Sequence, residues 1–380
     1  MRRFLCIMFL ACVGTLFVSY YVQFMYVHYM LPLTSKTLKK QGNDGDYWTE
    51  PLHFKLHEME IHKPVLVPPT AETIPGLFNF SILRPDEKQH RLLNLHLYSF
   101  TLTSDLCQGR SVFLLILVHT SVCHFKPRRM IRNTFGSVKN ISNKNIVVIF
   151  LVGTNERGDC QQNVENEAAE FKDIVQGNFK DVYANLTLKH VMGQHWTLNH
   201  CPEVTFILKI DDDVFMNPYI LVRHLLQLDP TNVLECSIIR NKHTARRNDS
   251  KYQMSYEMYP FTNVPDFCQG FGYIVSPDVV SQLYRASSVT RFIAMDDVYV
   301  TGIIRSNLGM TFNDFKNTRH DCPKKRILPV SVLNSTGIML AYLDRSCLAA
   351  MFDKWPTIQA YFTGMRQMHA NDFINLTSTS

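Results

Sequence analysis

No stretch of this chain is dense in lysine and arginine, although 39 basic residues against 33 acidic ones leave a net charge of +6. An excess this small over 380 residues permits attraction to phosphate-bearing ligands but supplies no nucleic-acid track. No two cysteines form a Cys-x-x-Cys pair, which argues against a zinc cluster. No internal repeat or low-complexity segment is present, so a solenoid reading is set aside. Charge is absent altogether from Phe4 to Leu31.

That uncharged run is longer than the roughly 20 residues a helix needs to cross the hydrocarbon core. Arg2 and Arg3 precede it, which favours a cytoplasmic N-terminus. A cleaved signal peptide would have a shorter apolar stretch and a small-residue cleavage site. This run ends instead among Tyr26, His28 and Tyr29. The expectation is a tail at residues 1–3, a signal-anchor helix at 4–31, a lumenal stem at 32–105 and a catalytic domain at 106–380. The stem carries Pro64, Pro68, Pro69 and Pro75 without sustained periodicity, as a tether would.

Two counts agree with a lumenal body. Asn-x-Ser/Thr sequons begin at Asn79, Asn140, Asn185, Asn248, Asn334 and Asn375, each a candidate glycosylation site. Of ten cysteines, Cys6 and Cys12 lie in the apolar run. The remaining Cys107, Cys123, Cys160, Cys201, Cys236, Cys268, Cys322 and Cys347 form an even set that an oxidising lumen could pair, in connectivities the sequence does not select.

With 46% apolar and 19% charged residues the chain is globular. Val112 to Val118, Ile146 to Val152 and Val204 to Ile210 are continuous apolar runs, the pattern of strands buried on both faces. Helical patterns fall at Pro127 to Thr134, Glu165 to Gly177 and Pro218 to Leu228. Alternation of this kind indicates an α/β fold with a largely parallel sheet, whose ligands gather beyond the carboxyl ends of the strands.

There the third strand runs into Asp211, Asp212 and Asp213. Residues two apart share a face of an extended chain, so Asp211 and Asp213 can address one ligand while Asp212 turns away. Hard carboxylate oxygens suit Mg²⁺ or Mn²⁺ bridging to substrate phosphates. A solvated turn is the plainer alternative, but apolar strand residues flank the acids on both sides.

The chain resembles the β-1,3-galactosyltransferase and β-1,3-N-acetylglucosaminyltransferase family, glycosyltransferase family 31. The resemblance runs through Arg128-Arg-Met-Ile-Arg132-Asn-Thr-Phe-Gly136, Phe150-Leu-Val-Gly153, Asp181-Val-Tyr-Ala-Asn-Leu-Thr-Leu-Lys189, Trp196 and Cys201. It continues in Phe206-Ile-Leu-Lys-Ile-Asp-Asp-Asp-Val-Phe215, Tyr259-Pro260, Phe267-Cys-Gln-Gly-Phe-Gly-Tyr-Ile-Val-Ser276 and Asp296-Asp-Val-Tyr-Val-Thr-Gly302. The blocks cover residues 110–312 in order, and it is the order that is specific.

The resemblance implies a GT-A-type, Rossmann-like fold and a Golgi membrane enzyme of single-pass type II topology. It implies Mn²⁺, with Mg²⁺ as alternative, and inverting transfer to a glycan acceptor on a glycoprotein or glycolipid to form a β-1,3 linkage. UDP-galactose is the first donor and UDP-N-acetylglucosamine the second. It implies Asp297 as catalytic base and Asp213 with Asp211 as metal ligands. Asp211, Asp212, Gly270, Gly272, Arg128 and Arg132 are the donor-binding candidates, since guanidinium forks suit phosphate and side-chain-free backbone admits a close sugar. The plainer alternatives are a solvated basic helix face for the arginines, helix capping for Asp297 and a tight turn for the glycines.

Three departures from the family pattern stand out. Phe135 replaces the usual Trp, and no His precedes Trp355, where Asp344 is the available oxygen ligand. Asp296 also replaces a usual Glu. A catalytically silent glycan- or nucleotide-binding protein of the same fold is the first rival reading. A calcium-stabilised adhesion domain is the second, and it conflicts with the helix-separated strands.

Overall fold

The computed structural model describes residues 96, 98–155, 160–247, 251–315, 318–319, 340–342, 349 and 352–364. The anchor at 4–31, most of the stem, Asn79, Asn248, Asn334, Asn375, Cys322, Cys347 and Asp344 lie outside the described residues. Among those described, no helix is long and apolar enough to cross a membrane.

The three apolar runs form the centre of the main sheet. Strand β2 (Leu114–His119) is buried throughout and lies parallel to both β4 (Lys144–Thr154) and β6 (Phe206–Asp211). Its alternate side chains enter two different cores, which is why the run shows no polar face. Leu114, Ile116 and Val118 join Val148, Phe150 and Leu208 on one side. Leu115 and Leu117 join Trp196, Leu283 and Tyr284 on the other.

Beyond β4 lie β5 (Ile174–Lys180), parallel to it, and β1 (Phe100–Leu102), antiparallel to β5. Beyond β6 the direction changes. Strand β9 (Phe267–Val275) runs antiparallel between β6 and β8 (Leu234–Ile239), with β10 (Asn313–Asp314) parallel to β8 at the edge. The sheet is therefore mixed, a parallel core with a reversed strand inserted. A short hairpin strand β3 (Asn140–Ile141) pairs with β4 through Ser142 and Asn143, both at positive φ. A second sheet holds β7 (Val214–Met216), β12 (Leu340–Tyr342) and β11 (Thr318–Arg319).

Helices α1 (Phe125–Asn133), α2 (Gln161–Phe171), α3 (Leu186–His200), α4 (Pro218–Leu225) and α5 (Pro277–Ser287) cover the sheet. Asn217 starts α4 by accepting from the N–H groups of Tyr219 and Ile220, with Pro218 at the first turn. The expected helix from Glu165 to Gly177 is corrected. Lys172 adopts φ 58° and ends α2, after which Ile174 pairs with Phe150 in the sheet. Ile174 and Val175 thus belong to β5, and Phe171 stays 41% exposed rather than joining a buried stripe.

Disulfides join Cys107 to Cys201, Cys123 to Cys160 and Cys236 to Cys268. Phe135 fills its core position against Phe215 and Phe352, the latter in a helical segment over 352–364. The swap from the larger indole is thereby absorbed by packing.

Candidate active site

Strand β6, inside the sheet between β2 and β9, carries its functional groups at its carboxyl end. Lys209 and Asp211 are two apart and share a face, so the Lys209 ammonium donates to Asp211 Oδ1 at 2.7 Å. It also donates to the carbonyl of Gly270 on neighbouring β9. Asp212 turns the other way, accepting from Thr120 Oγ1 at 2.6 Å and His124 Nδ1 at 2.8 Å. Asp213 Oδ1 is buried and has no hydrogen-bond partner among the described residues.

A second acid pair arrives from a remote part of the chain. Asp296 and Asp297 open a π-helical segment, Val298–Ile304, a helix form often found at functional sites. Asp297 Oδ1 caps it by accepting from Val298 N at 2.8 Å. Asp296 Oδ2 lies 2.9 Å from His190 Nδ1 and 3.9 Å from Lys209 Nζ. His190 is buried on α3 and bonds through Nε2 to the Tyr273 hydroxyl, which fixes its ring. Capping and an open acid role are therefore not alternatives for Asp297, because each uses a different oxygen.

Both pairs face one cleft of about 530 Å³, lined among others by Asp211, Asp213, Gly270, Asp296 and Asp297. Its electrostatics separate the four acids. Burial and the neighbouring Asp296 charge push Asp297 up to about 7. Burial opposes ionisation of Asp296 as well, but Lys209 and His190 overcome it and hold that acid below the usual carboxylate range. Burial, then Asp211 and Asp212, push Asp213 up to about 6. Burial and the Lys209 charge keep His119 neutral.

Among the described residues no group of three or more His, Cys, Asp or Glu side chains is arranged to hold a metal ion. The donor set at the strand tip is two carboxylates, Asp211 and Asp213. The orphaned buried oxygen of Asp213 fits a hard cation, whose remaining positions water and phosphate oxygens commonly fill.

The donor-binding expectation for Arg128 and Arg132 is corrected. Arg128 is fully buried, donating to both oxygens of Glu167 and to the carbonyls of Ser121 and Val122. Arg132 spends its three nitrogens on Glu167 and Asp173. Neither borders the cleft. Arg128 thereby pins the loop after β2 that carries Thr120 and His124 toward Asp212, and Arg132 holds Glu167 and Asp173. Gly270 does border the cleft, whereas Gly272 is buried in β9 opposite Ile210. A Cβ on Gly270 would stand 3.0 Å from Asp297 Oδ2, so the missing side chain makes room for that acid. Of the described sequons, Asn140 is exposed, and Asn185 is half-buried with its amide donating to Lys180 O.

Sequence reasoning missed Lys209, His190 and His119, and it gave no task to Asp181 and Lys189. Lys209 was legible as a charge two residues before the acids inside an apolar strand. Asp181 accepts from the N–H groups of Val122 and Gly153 and from the Lys189 ammonium, tying the ends of β2 and β4 together.

Carboxylates at the carboxyl end of β6 share one cleft with a second acid pair, an arrangement suited to group transfer on an α/β fold. The chain belongs to the galactosyltransferase family, whose model, described as Galactosyltransferase, matches residues 126–316. It is thereby a hexosyltransferase. Beta-1,3-galactosyltransferase 1 of Mus musculus is 34% identical over 265 residues, 67% of this chain and 81% of that protein. Beta-1,3-galactosyltransferase 5 of Gorilla gorilla gorilla is 33% identical over 224 residues, 59% of this chain and 75% of that protein. The apo crystal structure of mouse xyloside xylosyltransferase 1 aligns at a TM-score of 0.30 and 12% identity, covering 62% of this chain and 98% of that chain.

Proposed function

We propose that the protein transfers galactose from UDP-galactose, with inversion, to a glycan hydroxyl in a β-1,3 linkage. The observation that carries this reading is Asp297, an acid raised toward neutrality in the cleft that also holds Asp211 and Asp213. A base poised near the working pH is what deprotonation of an alcohol needs. The acceptor oxygen attacks the anomeric carbon as its proton passes to Asp297 Oδ2. The bond from that carbon to the β-phosphate oxygen breaks, and UDP leaves with the electron pair. Attack opposite the leaving group converts an α-linked donor to a β-linked product.

Asp213 and Asp211 are the groups that would hold Mn²⁺, with Mg²⁺ as alternative, and the cation would neutralise the diphosphate as a Lewis acid. Asp296, kept ionised by Lys209 and His190, raises Asp297 and lends it basicity. UDP-galactose as donor is supported by the names of the relatives, and UDP-N-acetylglucosamine is the alternative to be tested beside it. A Golgi membrane location with the body in the lumen is supported by the uncharged run Phe4 to Leu31 and by cysteines suited to an oxidising compartment.

The decisive experiment is Asp297→Asn in the full-length protein. UDP binding is retained and transfer falls by about 10²–10⁴-fold, the usual share of a general base. Transfer at the wild-type rate would exclude Asp297 from that role.

A further inference from the structure

The rim of the cleft carries two tyrosines that the chemistry above does not use. Tyr183, in the turn Tyr183–Asn185 before α3, is 42% exposed, and Tyr252 is 48% exposed. Both line the cleft that holds Asp297. Their ring centroids are 6.4 Å apart and the planes meet at 69°, so they form two walls of a corner. The Lys251 ammonium sits 5.7 Å from the first ring centroid and 4.9 Å from the second. We propose that Tyr183 and Tyr252 form the acceptor-sugar subsite, taking a pyranose against their rings with Lys251 at its hydroxyls. The assignment rests on the transferase reading and adds where the second substrate sits.

The chemistry of the ligand follows from the shape. A pyranose has an apolar C–H face and a rim of hydroxyl groups. An aromatic ring covers the first, while an ammonium and phenol hydroxyls meet the second. The position agrees as well, since both tyrosines line the same cleft as Asp297. The wall is also held in place. Asn185 N donates to Val182 O at 2.9 Å and its side chain donates to Lys180 O at 2.9 Å, bracing the turn that presents Tyr183. A corner fixed before binding loses less entropy when occupied.

The test uses the full-length protein, its Tyr252→Ala, Tyr252→Phe and Tyr183→Ala variants, and the methyl β-glycosides of N-acetylglucosamine, galactose and N-acetylgalactosamine. Transfer from UDP-galactose is measured against each substrate, and glycoside binding is followed by calorimetry with UDP present. Both alanine variants are expected to raise the acceptor KM about tenfold, a loss typical of an aromatic anchor, with the donor KM unchanged. Tyr252→Phe, which keeps the ring, stays near wild type. A rise in donor KM alone would assign the corner to the nucleotide and overturn the proposal. Unchanged constants would overturn it too. If no glycoside is glycosylated yet one binds to wild type and not to Tyr252→Ala, the subsite stands and the transferase reading fails. If no glycoside binds to wild type, the subsite is refuted.

Discussion

Gly270→Ala perturbs Asp297, the proposed base, without changing any charge. A Cβ at this position stands 3.0 Å from Asp297 Oδ2 and 3.4 Å from its Cγ. Contact at ordinary van der Waals separation needs about 3.5 Å, so the carboxylate must retreat by about 0.5 Å. Retreat is resisted on the far side, where Oδ1 holds Val298 N at 2.8 Å. A misplacement of about 1 Å costs about a hundredfold in rate, and half of it about tenfold. The fold should tolerate the methyl group at about 1 kcal/mol, a shift of about 2–4 °C in Tm. The assay is kcat and donor KM from initial rates of sugar transfer, alongside a thermal melt. The expected outcome is kcat reduced about tenfold, donor KM within twofold by the same argument, and a nearly unchanged melt. Wild-type kcat would refute the placement of Asp297 at the reacting hydroxyl. A melt that collapses together with activity would assign the effect to folding.

The pH profile offers a second check. Because burial and Asp296 push Asp297 up to about 7, the acid is neutral below that pH and active above it. The transfer rate should rise with pH through a midpoint near 7, and Asp296→Asn should move that limb lower; a flat profile from pH 5 to 8 sinks the assignment. Arg128→Met leaves Glu167 buried with Arg132 as its remaining partner, and chemical denaturation should record a loss of about 3–5 kcal/mol. A loss below about 1 kcal/mol would mean the pair contributes little. Asp213→Ala should abolish the Mn²⁺ dependence of UDP binding, and an unaltered Mn²⁺ titration moves the cation elsewhere.

What the sequence showed well was whatever a short window could hold. Three apolar runs read as strands because each feeds two cores at once, and the acids at the end of β6 read as a site because carboxylates are costly in that setting. Misreadings came from neighbours distant in the chain. Ile174 and Val175 continue the apolar stripe of α2 in sequence, yet β4 offers them a ladder that a window cannot see. Arg128 and Arg132 read as phosphate ligands because a guanidinium suits phosphate, and the carboxylates that claim them sit 35–41 residues away. His190 carried no local signal at all, since its partner Asp296 is 106 residues distant. Reversed β9 was invisible for the same reason, although it supplies Gly270 to the cleft.

The ammonium of Lys209 lies between Asp211, near it in sequence, and Asp296, far along the chain. Deleting that lysine alone would leave two carboxylates confronting each other in a confined space. These three positions are therefore electrostatically coupled, and a charge change at one alters the cost of the other two. Removing the ammonium therefore sets one acid against the other, and neutralising either acid in the same chain relieves that repulsion.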